Sequence, residues 1–178
     1  MGNIVKGILG AFVTFLLTVA MAVGVTFMST DSYDDASDAV RLDFNGAAAS
    51  ADEVMLDLED AWSALFEWQL VLFVVGFVIA LIFLIRTATA TAATPKDRRR
   101  FKPMWVILLL VSFAVAVATW FFLVVSPEAA YALAFGNYAL VVASSFVLFL
   151  IAFYVSTAFF VSSLFAPSVP LSAQIRGA

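Results

Sequence analysis

Four stretches of this chain carry no charged residue, and their lengths limit what it can fold into. There are 24 uncharged residues between Lys6 and Asp31, 18 between Glu67 and Arg86, 25 between Lys102 and Glu128, and 47 between Glu128 and Arg176. A helix needs roughly 20 apolar residues to cross a hydrocarbon layer ~30 Å thick. The first three gaps fit one crossing each. The fourth has no Pro or Gly between Asn137 and Ala166 and reads as one long helix. The expected fold is therefore an all-α integral membrane protein with four transmembrane helices, over about 8–28, 66–85, 104–125 and 138–160. Barrel strands would need about ten residues of alternating polarity, and runs such as Leu70-Val-Leu-Phe-Val-Val do not alternate. Unpaired backbone groups are intolerable in lipid, so helices are the remaining option.

Composition agrees. Of the 178 residues 64% are hydrophobic and 12% charged, against roughly 45–50% and 25% in soluble domains. A disordered chain, a nucleic-acid binder and an ordinary soluble domain are excluded. The chain has neither Cys nor His, so thiol chemistry, disulfides, imidazole or thiolate metal sites and His-ligated haem have no residues to use. Four-helix disulfide-exchange enzymes and haem-anchoring subunits are ruled out on the same ground. No catalytic constellation, cofactor motif or metal site is expected.

The sign of the connecting segments predicts orientation. Residues 31–67 carry eleven acids and one Arg, and residues 86–102 carry six bases and one acid. The excess of bases marks the cytoplasmic side. Lys6 and Arg176 flank the first and last spans, so both termini are expected in the cytoplasm and the acidic segment 29–65 outside. The whole chain, 1–178, reads as one polytopic domain in a membrane, a prokaryotic cytoplasmic membrane or a virion envelope. The first span resembles a signal peptide through Lys6 and Ala20-Met21-Ala22. Its apolar run continues to Met28, beyond an h-region of ~7–15 residues, so an uncleaved anchor is expected.

Within the acidic segment, Thr30 to Ala49 is rich in Asp, Ser and Ala and is expected to be mostly irregular. Asp31, Asp34, Asp35 and Asp38 are spaced three, one and three apart, without the alternate ligands and bend Gly of an EF-hand loop. They read as a solvated acidic loop. Ser50-Ala-Asp-Glu53 has capping-box spacing, and no Gly or Pro follows until Gly76. One helix is expected from about Ala51 to Arg86, its first half projecting from the bilayer. Val54, Leu58, Ala61, Leu65 and Trp68 recur at steps of four and three, and Met55, Trp62 and Phe66 widen that apolar stripe. The stripe either packs on the protein's own outer loop or the lipid headgroups, or docks onto another protein. Trp62 and Trp68 also suit an aromatic belt.

The basic connection 86–103 contains Lys96, Arg98, Arg99, Arg100 and Lys102. It sets topology, with anionic lipid headgroups or an acidic partner as further readings. Lone bases without a recognition fold give no nucleic-acid interface. Inside the spans no Asp, Glu, Lys or Arg lies away from the interfaces, unlike proton relays and ion-coupled transporters. Small and hydroxyl residues are present instead at helical spacing. They are Gly7, Ala11, Thr14, Thr18 and Ala22 in span one, Ser112, Ala116 and Thr119 in span three, and Ser145, Ala152, Ser156 and Ser163 in span four. Such faces allow close helix packing or form a hydroxyl-lined pore wall. Ser126-Pro127-Glu128 predicts a helix start near Pro127. That helix is expected to run to Phe165 with a bend at Gly136-Asn137. The function expected is a non-catalytic accessory subunit of a larger membrane assembly, contacting other integral membrane subunits and lipids. A homo-oligomeric pore or small transport component is the alternative.

Overall fold

A computed structural model describes residues 2–43, 48–90, 95–123, 137–161 and 163–175. Among the described residues every long element is helical: α1 (Gly2–Asp43), α2 (Ala48–Thr89), α3 (Pro95–Leu123) and α4 (Tyr138–Phe160). A 3-10 helix over Ser163–Ser168 and a single turn over Ser172–Ile175 follow. Each long helix contains a stretch long and apolar enough to cross a membrane: Gly7–Arg41, Asp52–Thr89, Arg100–Phe121 and Tyr138–Phe160. The four together suggest a multi-pass membrane protein.

Three boundaries differ from the sequence expectation. Residues 30–43 are not irregular; they continue α1 without a break. Val25, Ser29, Ser32, Ala36 and Val40 are buried at steps of four, three, four and four, so this part of α1 has a packing face of helical period. Most of its members are small or hydroxylated, which conceals it in the sequence. Asp31, Asp34, Asp35 and Asp38 are exposed on the same helix. Their spacing is that of an acidic helix face. The basic connection is also shorter than 86–103, because α2 runs to Thr89 and α3 starts at Pro95. Pro suits a first helical position, where its missing N–H is not needed. Pro103, in the third turn of α3, withholds one amide from the ladder. Lastly α4 ends at Phe160 instead of Phe165, and the chain turns back. The expected helix start at Pro127 and the bend at Gly136 lie outside the described residues. α2 starts at Ala48, so Ser50 sits in its first turn instead of capping it.

The chain forms two compact units, and each of the four long helices contributes a segment to both. Unit one comprises Met1–Ala20, Phe73–Val115 and Phe149–Ala178. Its core includes Ile79, Phe83, Trp105, Phe153 and Phe165. Trp105 packs on Phe153 and Tyr154, with centroids 6.0 and 6.4 Å away, and its Nε1–H donates to Thr157 Oγ1 at 3.0 Å. The returning C-terminal segment is fastened to α4 at two points. The Tyr154 hydroxyl donates to the Pro170 carbonyl at 2.7 Å, and the Ser172 hydroxyl to the Ala158 carbonyl at 2.6 Å. Phe165 fills the space beneath, its ring 4.4 Å from Phe101. These contacts, with Pro167 in the 3-10 turn, explain why the helix does not continue.

Unit two comprises Met21–Leu72 and Ala116–Leu148. Trp62 is its aromatic centre, 4.8 Å from Tyr138 and 5.9 Å from Tyr33 by ring centroid, both edge-on. Such pairs add about 0.5–1.5 kcal/mol each beyond the area they bury. Trp68 lies 5.1 Å from Phe146 and donates its Nε1–H to the Ala116 carbonyl at 3.1 Å.

Candidate functional site

A polar side chain buried in a span must find a partner inside the protein, because lipid offers none. Unit two contains a node built on that requirement. Gln69 is 4% exposed. Its Nε2 donates to Ser29 Oγ at 2.9 Å and to Ser145 Oγ at 3.1 Å, joining α1, α2 and α4. Both amide hydrogens are used. Ser29 Oγ lies 3.2 Å from Gln69 Oε1 and 2.9 Å from the Val25 carbonyl, either of which accepts its hydrogen. Ser145 donates to the Val141 carbonyl at 2.7 Å. Two turns back along α2, Trp62 Nε1–H donates to the Ser29 carbonyl at 3.0 Å, and the Tyr138 hydroxyl donates to the Ala61 carbonyl at 3.4 Å. The Asn137 amide reaches Ser32 Oγ at 3.2 Å. None of the three node side chains ionises. The arrangement fixes the mutual register of three helices, and no base lies among its three side chains to activate either serine.

The candidate stripe of α2 is placed inward. Leu58, Ala61, Trp62, Leu65 and Trp68 are all buried within the protein, and Val54 is half-buried. Trp62 packs on Tyr33 of α1 and Tyr138 of α4, and Trp68 on Phe146 of α4 and the Ala116 carbonyl of α3. Asp52, Glu53, Glu59, Asp60 and Glu67 are exposed on the same helix, as are Leu56 and Leu70. Among the basic residues Arg100 and Lys102 are exposed in the first turns of α3. Lys96, Arg98 and Arg99 belong to the same turns, and their side chains lie outside the described ones.

The small-residue positions bring helices together in unit one. A Cβ on Gly10 would lie 2.6 Å from Phe160 Cβ, and a Cβ on Gly7 would lie 3.0 Å from Ala88 Cβ. At Gly76 an added Cβ would collide with the Phe149 ring. Thr14 is buried and donates to the Gly10 carbonyl at 2.7 Å, while half-buried Thr18 donates to the Thr14 carbonyl at 2.8 Å. Ala11 is half-buried beside them. Thr14, Thr18, Gly76, Phe149 and Ser156 line a cavity of about 10 Å³, at the threshold for one water molecule. The buried Ser156 hydroxyl has no hydrogen-bond partner among the described residues. A passage for ions would need far more room than this.

The four exposed Asp residues of α1 gather no metal-ligand set, and no group of three ligating side chains occurs among the described residues. Sequence reasoning passed over Gln69. The available signal was simple: from Gln69 to Ile85 it is the only polar side chain in a run of aliphatic and aromatic residues. Compared with models of known families, with curated proteins and with solved structures, neither the sequence nor the fold finds a match.

Proposed function

We propose that this protein is a non-catalytic accessory subunit of a larger membrane assembly. In this reading both termini and the basic 86–102 segment face the cytoplasm, and the acidic ends of α1 and α2 project on the other side. The observation that carries the reading is the paired extension formed by those ends. The candidate spans of α1 and α2 are 35 and 38 residues long, well beyond the ~20 a bilayer needs. In the excess, Ala36, Val40 and Leu58 are buried and Tyr33 stacks on Trp62, so the two helix ends are packed and not loose. Asp31, Asp34, Asp35, Asp38, Asp52, Glu53, Glu59 and Asp60 are exposed there, beside Arg41 and Leu56. A rigid acidic projection offers a basic partner surface a preorganised, salt-sensitive contact.

The pore reading has less support. Thr14, Thr18 and Ser145, which would line it, are tied to carbonyls of their own helices. The outward residues of α1 include Ile8, Phe12, Phe15, Val19 and Val23. An aqueous channel between copies would be walled by Phe, Val and Ile. Purification in mild detergent followed by native mass spectrometry tests the proposal. A stoichiometric hetero-subunit that dissociates as salt is raised is the expected result. A closed homo-oligomer that leaks ions in vesicles would contradict it.

A further inference from the structure

A second feature of unit one points outward. α1 and α2 part beyond the contact of Gly7 with Ala88, leaving a hollow of about 290 Å³. Small residues, Gly7, Ala11 and Ala88, form its floor, and Ile8, Leu81 and Ile85 its walls. Thr89 stands at one end. Gly7 is the first residue of the α1 candidate span and Thr89 the last of the α2 span, so the hollow lies where hydrocarbon meets headgroups. Leu81 to Thr89 covers roughly 12 Å of helix, so the hollow runs along the span like a slot.

Charge selects the occupant. Unit one holds eight of the nine bases, Lys6, Arg86, Lys96, Arg98, Arg99, Arg100, Lys102 and Arg176, and only one acid, Asp97. Arg86 is exposed and lies one turn before Thr89 on α2, an i,i+3 neighbour of the hollow's polar end. We propose that this slot binds one acyl chain of an anionic phospholipid, with the headgroup phosphate held at Arg86, since the Thr89 hydroxyl donates to the Ile85 carbonyl at 2.9 Å. Basic positions between spans on the charged side of a membrane protein are suited to such headgroups.

The test is native mass spectrometry of the full chain, released from vesicles of equimolar phosphatidylglycerol and phosphatidylcholine. The first retained lipid is expected to be phosphatidylglycerol in about fivefold excess, the factor expected for one base beside an anionic surface. Arg86→Gln should bring the ratio close to one. Ala11→Phe fills the slot and should remove adducts of both lipids. Equal retention of the two lipids by the wild type overturns the proposal, as does undiminished retention by folded Ala11→Phe. A measurement that needs no core substitution uses the Cys-free background. A fluorophore on Ile8→Cys, an exposed wall position, should be quenched more by brominated phosphatidylglycerol than by brominated phosphatidylcholine. Equal quenching, or shielding of that site by a second polypeptide, also overturns it.

Discussion

Gln69 shows how one residue organises three helices. Its two N–H groups are shared between Ser29 and Ser145, and each serine keeps a carbonyl of its own helix as acceptor. Gln69→Leu therefore removes two interhelical bonds without stranding a donor, and such bonds in membranes average only ~0.6 kcal/mol. Unfolding in detergent should show a loss of about 1 kcal/mol. Gln69→Glu brings a carboxylate into the span, and the loss should exceed about 2.5 kcal/mol at neutral pH. If the two variants are equally stable, the node is not shielded from water. Gly76 acts by shape. Gly76→Ala should cost about 1–3 kcal/mol by overpacking against Phe149, and adding Phe149→Leu to it should recover much of that loss. The small-residue faces were legible in the sequence, because Gly, Ala and Ser at helical spacing have few other uses in a span. Which ring fills each gap was not, since a contact such as Gly10 with Phe160 depends on tertiary placement.

At the scale of elements, the same residues that looked like a loop make the longest surprise. The steps of three, one and three in Asp31, Asp34, Asp35 and Asp38 are i, i+3, i+4 and i+7, the signature of one helix face. The same spacing lacks the alternate ligands of a calcium loop. The opposite face was hidden because Ser29, Ser32 and Ala36 carry little hydrophobic signal, yet they let Trp62 and Gln69 approach closely. Ala39→Pro distinguishes the two descriptions. In a helix it should cost about 3 kcal/mol or more, and in an irregular segment less than about 0.5 kcal/mol; the melting temperature in detergent reads the difference. The α2 stripe was legible as a stripe, but periodicity alone does not say what covers it. Leu58 has no exposed surface. Leu58→Asp loses about 1.5–3 kcal/mol of burial and adds the cost of a desolvated carboxylate. The variant should fail to accumulate. Full accumulation with an unchanged melting temperature would mean that Leu58 is not in the core. The end of α4 was hidden for a related reason, since Tyr154 and the Ala158 carbonyl hold a returning segment, through Pro170 and Ser172, that no local pattern announces.

Across the whole molecule, the count of apolar stretches carried most of the architecture. Four gaps between charges became four helices, because covering the backbone in lipid leaves few alternatives. The charges divide along with the structure: unit two holds twelve of the thirteen acids and the one remaining base, Arg41. That asymmetry makes orientation depend on few residues. Replacing Arg98, Arg99 and Arg100 by Ala removes half of the bases in 86–102, and mixed orientation or reduced insertion should follow. An orientation and yield unchanged from the wild type would assign insertion to the hydrophobic spans alone. The account rests most directly on which side each charged segment faces. Single cysteines at Asp35 and Lys102, both exposed, can be labelled in intact cells with an impermeant maleimide. Asp35→Cys should label at once and Lys102→Cys only after permeabilisation. Labelling of both from outside would contradict the four-span arrangement.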